Sequence, residues 1–466
     1  MAVDSTHPDY DAMLPKWERV RDALDGDRVK AAKDKYLPQL SGMDGREYDA
    51  YAKRGLYYGA TARTLQGVSG LVFRRETVTT LPNAQAEELT EDVTLQRVPI
   101  ERFSQQTFDE VFALGRVGLY VSLPTAATPG ARAYLSRYRA ESIINWQVDE
   151  TGPRPRLSRV VLKESVNDPA GDDPYQFQRI DQWRDVHLDE NGLLLVNLWR
   201  RASDVGQASV AGNKFVLFDT HEPRFRGARL PMVPFVFVNS RSLGPDPEEP
   251  PLLPLADANL DHYRMMTDYR HGLHYTALPT PYVFGLTEDQ QLKIGSGTAW
   301  TGGDSDVKIG MLEFSGAGLG TLKDAIESSV GYMASLGARL IEAEKNAAET
   351  AETHRLRQGR EQATVAGTVQ ACNAGLSQTV TMMLNLSGVT GEALVRCNTD
   401  LIDARLTPDE LRVMLEALQT GAMAYDTFYH NLQRGEITRP GITSAEERQQ
   451  IAATVGLALP PVLDDE

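Results

Sequence analysis

QATVAGTVQACNAGLSQTVTMMLNLSGVTG, residues Gln362–Gly391, carries no charged side chain, although amides, hydroxyls and small residues dominate it. A helix on a protein surface keeps one charged or strongly polar face toward water, and this stretch has none. A bilayer span needs about twenty mostly apolar residues, which the Asn, Gln, Ser and Thr content excludes. The remaining reading is a long helix covered by protein on nearly every side, with Ala and Gly permitting close approach. One chain of this size can supply that cover; a ring of packed copies supplies it more naturally. Assembly rather than catalysis is the first expectation.

Bulk properties set the frame around that segment. The chain is long enough, at 466 residues, for two to four domains and a large buried area. Cys372 and Cys397 form neither a metal-binding spacing nor a disulfide framework, as expected of a protein made in a reducing compartment. The N-terminus, MAVDSTHPDYDAMLPKW, has no basic region followed by an apolar run, so no export signal is expected. No segment reads as transmembrane. Net charge is −16, which argues against tight binding of nucleic acid over the whole surface. The acidity is uneven: residues 1–70 hold 11 Lys+Arg against 11 Asp+Glu, whereas 241–320 hold 5 against 11. That excess is either a solvated face or a surface that DNA can pass without being held.

The N-terminal quarter reads as helical. Leu14, Trp17, Val20 and Leu24 recur at helical spacing before Gly26. A longer pattern runs from Gly45 to Gln66 and ends in VSGLVFRR, read as a turn into a strand. Ile100 to Gly115 forms another helix. From Gly118 to Asn239 the period shortens to β-rich runs, among them LYVSL, ARAYLSRY, IINWQV, RVVLKE, LLLVNLWR and VPFVFV. Trp146, Trp183 and Trp199 anchor their core. RSLGPDPEEPPLLPL cannot be helical and closes this α+β region.

A helix over about Leu255 to Thr276 follows, roughly 30 Å long at ~1.5 Å per residue, with Leu255, Tyr263, Met266, Tyr269 and Leu273 on one stripe. A small β-rich module extends to about Phe314. The next helix, Thr321 to Glu344, keeps the stripe Leu322, Ile326, Val330, Met333, Leu336 and Leu340, while small residues occupy its other faces. Glycine and serine there cost helix propensity unless close packing offsets it. After the uncharged helix comes a strand-like ALVRCNTDL. A capping box at Thr407-Pro408-Asp409-Glu410 then opens a helix with Leu411, Met414, Leu415 and Leu418 as its buried stripe. Ser444 and Glu447 are expected to cap the last helix.

Catalytic signatures are absent: no phosphate-binding loop, no H-E-x-x-H, no G-x-S-x-G and no C-x-x-C. SGAGLG has the spacing G-x-G-x-G, not that of a dinucleotide site. His271 and His274, with His262 and Asp268 upstream, are better read as surface or interface residues than as metal ligands. Glu349, Glu352 and His354 are the residues a hydrolase reading would use. No cofactor, no metal and no enzymatic activity are expected.

The order of elements, with the text YLPQLSGM…YDAYAKRGLYYGATARTLQGVSGLVFRR, YRAESIINWQV and LKDAIESSVGYMASLGARLIEAEKNAAETAE, resembles the portal, or head-to-tail connector, proteins of tailed bacteriophages. The resemblance implies an α+β portal-like fold with a mixed wing domain (1–250), a long-helix stem (251–278 and 315–343) and a small β-rich clip (279–314). A channel loop (344–350), the long uncharged helix (351–391) and a helical crown with tail (392–466) would complete it. It further implies a homo-oligomeric ring, typically of twelve subunits, at one capsid vertex of the virion, built in the host cytoplasm and without a membrane. Double-stranded DNA would pass through the ring, and its partners would be the terminase large subunit, a head-completion or adaptor protein, and the major capsid and scaffolding proteins. Carried onto this sequence, Lys345 and Asn346 would reach DNA, and Gly331, Ala334, Gly337 and Ala338 would pack stem against stem. Thr287, Glu288 and Asp289 would meet the clip's partner. Another capsid assembly protein without a channel is the alternative, and a hydrolase a more distant one.

Overall fold

The structure, a computed structural model, describes residues 2–124, 132–169, 175–205, 214–277, 280–284, 308–312, 316–338, 351–399, 408–435, 437–438 and 442–455. They divide into two compact units, Met1–Thr399 and Asp400–Glu466.

The first unit opens with α1 (Pro8–Ala23), α2 (Gly26–Ala31), α3 (Gly45–Arg54) and α4 (Ala60–Val72). Side-chain acceptors on His7 and Asp25 cap α1 and α2, and Asp44 with Glu47 forms a capping box on α3. The expected continuous helix over 45–66 is therefore two helices. VSGLV does not turn into a strand; Val68, Ser69 and Val72 are buried on α4, which keeps the segment helical. Strand β1 (Val78–Thr80) and α5 (Ala84–Glu91) precede α6 (Ile100–Leu114). Gly115 ends α6 at φ 78°, where a side chain would be strained and its Cβ would lie 2.7 Å from Glu248 O. Arg21 of α1 forms half-buried ion pairs with Glu110 of α6 (2.7 Å) and Glu141 (2.9 Å).

The β-rich runs form two antiparallel sheets. Strands β2 (Arg116–Ser122), β3 (Tyr134–Arg139), β4 (Ile143–Asp149), β5 (Arg156–Pro169), β6 (Phe177–Leu188), β7 (Leu194–Arg201) and β8 (Phe215–His221) come first. A small pair, β9 (Arg224–Phe225) with β10 (Ala228–Arg229), then precedes β11 (Phe235–Asn239). One sheet has the order β11-β2-β3 and the other is the meander β4-β5-β6-β7-β8. They meet where Tyr138 donates to Glu164 at 2.6 Å, and Glu164 also takes Arg184 Nε at 2.7 Å. Trp146 and Trp183 are buried as expected, and Trp199 is half-buried.

The proline-rich run after β11 has no regular structure as far as Leu252 but is firmly tied. Leu253–Leu255 already belong to the helix that follows, which corrects the expectation that the whole run cannot be helical, since Pro254 in the first turn has no N–H to satisfy. Asn239 Nδ2 donates to Gly244 O and Asp246 O, and Arg116 Nη2 to Pro245 O at 2.8 Å. The Arg116 guanidinium is fully buried between the rings of Trp146 and Phe237, and burial pushes its pKa down to about 9.

Then come α7 (Leu253–Ala277), the hairpin β12 (Thr280–Phe284) with β13 (Lys308–Leu312), and α8 (Ala317–Met333), which continues as a π-helical turn over Ala334–Ala338. The unit closes with α9 (Ala351–Leu386) and β14 (Leu394–Arg396). Helix α9 contains the charge-free stretch as far as Leu386, and its own chain covers it: it packs on α6, β2, β11 and β14. Val369, Leu376, Val380 and Met383 are buried to within 0–1% exposure, and Gly375 lets the helix close on β11, since a Cβ there would lie 2.4 Å from Val238. Its polar residues have a separate task. Asn373 Oδ1, Ser377 Oγ and Thr381 Oγ1 accept from the backbone N–H of Cys397, Val395 and Ala393, each at 2.9 Å. Strand β14 pairs with β1 on its other edge. A stripe of hydroxyls and an amide thus replaces the missing neighbouring strand. Of the two expected sources of cover, one chain suffices for the residues whose side chains are described, leaving a narrow exposed stripe at Gln370, Ala374, Gln378 and Asn385.

The second unit contains α10 (Pro408–Gln419), α11 (Tyr425–Arg434) and α12 (Ser444–Val455). The expected stripe of α10 is only partly covered: Leu411, Met414 and Leu418 are half-buried and Leu415 is 43% exposed. The cap of α12 falls one residue earlier than expected. Thr443 N donates to Glu446 Oε2 at 2.8 Å and Glu446 N to Thr443 Oγ1 at 3.3 Å.

Candidate functional site: an antiparallel helix pair with one bare face

Helix α7 is fixed to the N-terminal helices by buried polar contacts. Gly59 precedes α4 and has no side chain to cap it, so Asn259 of α7 does so from outside. Its Oδ1 accepts from Thr61 N and Thr61 Oγ1 at 3.1 Å and from Tyr57 at 3.0 Å, while Nδ2 donates to Tyr58 O at 2.5 Å. Further along, Tyr51 donates to Asp268 at 2.5 Å and Arg264 Nε to Tyr36 O at 2.9 Å. Gly55 brings α3 against α7; a Cβ there would lie 2.9 Å from Tyr263 and Thr267.

Helix α8 runs back along α7. Leu319 fits against Gly272, whose added Cβ would lie 2.7 Å from it, and Ser329 Oγ lies 3.4 Å from His262 Nδ1. Of the expected stripe on α8, Ile326 and Met333 are buried, whereas Val330 is 38% exposed. The face away from α7 presents Thr321, Asp324, Ser328, Gly331 and Ser335, all exposed. Around Gly318, Gly320 and Gly331 an added Cβ would meet nothing within 4 Å. The helix therefore bears three glycines, at about 1 kcal/mol each relative to alanine, that its own chain does not need.

The other expected packing residues differ from these. Ala334 is half-buried, and only the backbone of Ala338 is described. Gly337 is buried at φ 139°, within contact of Thr64. That conformation, inside the π-helical turn that follows α8, favours glycine whatever packs beside it. Lys345 and Asn346, the clip residues Thr287, Glu288 and Asp289, and Glu349 all lie outside the described residues. Glu352 and His354 fall on the first turn of α9, where only the backbone is described.

The histidines considered as metal ligands are absorbed by packing. His262 is 1% exposed and tilted against Tyr58, and burial pushes its pKa down. His271 stands edge-on to Tyr51 and Tyr275; burial lowers its pKa, and Arg54 and His274 add to the effect. Among the described residues no group of three His, Cys, Asp or Glu could hold a metal ion, and no helix is long and apolar enough to cross a membrane. Sequence reasoning missed Asn259, whose role has no local signal because its partners lie about 200 residues away.

The profile of a domain of unknown function (DUF4055) matches residues 251–386, the run from α7 through α9. No curated protein matches the chain. Among solved structures, the chain is similar to one from the neck of an empty GTA particle computed with C6 symmetry. That chain is 13% identical with a TM-score of 0.38, over 89% of this chain and 93% of the other. It is also similar to one from the neck of a native GTA particle computed with C12 symmetry, 11% identical with a TM-score of 0.37, over 90% and 96%.

Proposed function

We propose that this chain is a portal subunit that assembles into a ring through the bare face of α8, with α7 and α8 as the stem and the β12–β13 hairpin as part of the clip. The reading is supported by the order of elements and by the sequence resemblance. The observation that carries it is the contrast among glycines. Gly55, Gly272 and Gly375 each sit where a side chain would collide with their own chain, whereas Gly318, Gly320 and Gly331 have open space around them. Exposed helical glycine is tolerated where another backbone comes close, and a ring brings the next subunit's stem to that face by rotation. The ring would pass double-stranded DNA during packaging and ejection, dock the terminase large subunit and later hold a head-completion protein. Its role would be mechanical and not enzymatic.

Gly331→Ala and Gly331→Leu test the assignment by electron microscopy and thermal melting. In an isolated subunit Gly331→Ala raises helix stability by about 0.5–1 kcal/mol. Gly331→Leu is expected to leave the subunit folded and abolish rings with an open centre. Rings formed equally well by the leucine variant remove α8 from the interface, and a wild-type chain that stays monomeric at every concentration removes the ring.

A further inference from the structure

A cleft of about 740 Å³ opens where the β2–β3 edge of the small sheet meets the end of β8 and the C-terminal end of α9. The portal reading makes no use of it. Its polar lining includes Tyr120, Arg132, Arg184 and Ser387, and its apolar lining Val196, Phe225 and Leu386. Arg132 Nη1 and Ser387 Oγ are buried there without a hydrogen-bond partner. Arg132 spends its other amino group on Asp92. Arg184 gives Nε and Nη2 to Glu164. Tyr120 is 3% exposed, and burial pushes its phenol up to about 12.

The two buried groups without a partner, Arg132 Nη1 and Ser387 Oγ, can each donate a hydrogen bond, and leaving buried donors unmet is costly. The complement is therefore an acceptor. Its charge follows from the local balance: Arg132, Arg184 and Arg224 already face Asp92, Glu164 and Glu222. A dianion such as phosphate would enter a cleft with no surplus of positive charge, whereas a single carboxylate needs only oriented donors. The apolar lining asks for hydrocarbon beside it. We propose that this cleft binds one carboxylate carried on an apolar peptide segment of a partner protein.

The test is calorimetric titration of the full chain with three peptides. Ac-Ala-Leu-Glu-Leu-Ala-NH2 carries a side-chain carboxylate, Ac-Ala-Leu-Gln-Leu-Ala-OH a terminal one, and Ac-Ala-Leu-Gln-Leu-Ala-NH2 neither. At least one carboxylate peptide is expected to bind about tenfold or more tightly than the neutral control. Preference for the first assigns an internal acidic residue as ligand, and preference for the second a chain terminus. Ser387→Ala is expected to weaken binding about threefold and Arg132→Gln about tenfold or more. The serine variant removes a group that bonds to nothing in the free chain, so it carries the test if the arginine variant fails to fold. Equal affinity for the neutral peptide overturns the proposal. So does the absence of binding by all three up to about 10 mM, displacement by equimolar inorganic phosphate, or affinity indifferent to Ser387→Ala.

Discussion

His262 shows how much a single residue's role depends on what folds over it. In sequence it stands upstream of His271 and His274 and could be a ligand, a surface residue or an interface residue. In the fold it is buried under Ser329 at the contact between α7 and α8. Burial holds its pKa below the ordinary value of about 6.5, with Asp261 opposing more weakly. The neutral ring is the one the fold accommodates, so its stability contribution is complete above about pH 6.5. As pH falls from there toward the depressed folded value, the unfolded chain takes up the proton first and stability is lost; below the folded value the loss levels off. Melting curves from pH 8 to pH 5 should therefore show a smaller acid loss for His262→Gln than for the wild type, and equal slopes would remove His262 as a contributor. Gly337 makes the same point about legibility. Its place in a run of small residues suggests packing, but a φ of 139° is a backbone property that no composition reveals.

Elements defined by local chemistry were the legible ones. Helix α6 ends where Gly115 can adopt a left-handed conformation, and the β-rich runs between turn residues are strands, alternating in burial along β7 and uniformly buried along β2 and β11. The break between α3 and α4 was not legible, because α4 receives its cap from Asn259 on a helix far along the chain. The absence of charge in α9 was visible, but its cause was not. Asn, Ser and Thr at 373, 377 and 381 look like solvent-facing filler until the backbone of 393–397 is laid against them. Ser377→Ala should consequently cost about 1–3 kcal/mol in urea denaturation, because it leaves Val395 N–H without its partner. Gln378→Ala, one position along on the exposed stripe, should stay within about 0.5 kcal/mol. Equal effects of the two would mean that the ladder contributes nothing to stability.

Across the whole molecule, hydrophobic burial is unequally shared. The first unit holds a continuous core from Trp17 to Cys397, whereas in the second the buried apolar side chains among the described residues are Phe428 and Tyr429. A unit of that length with so little interior is marginal by itself. A chain ending at residue 399 should melt at the temperature of the full-length protein's main transition, and a 400–466 fragment should show no cooperative transition. A cooperative fragment would mean that the unit carries its own core. The sequence does show helices after Thr407; periodicity locates an apolar stripe without saying how far its own chain covers it, and for α10 the cover is partial.

The ladder between α9 and β14 matches two rulers of unequal pitch. Four residues of helix advance about 6.0 Å and two of strand about 6.7 Å, so successive rungs drift apart by about 0.7 Å. Three rungs fit before that drift reaches half a hydrogen-bond length, which is where this one stops. The arrangement also makes helical phase a single point of failure. One residue inserted between Ser377 and Thr381 turns the last rung by about 100° and unhooks it, while the same insertion in the turn after Leu386 lengthens a loop and leaves every rung engaged.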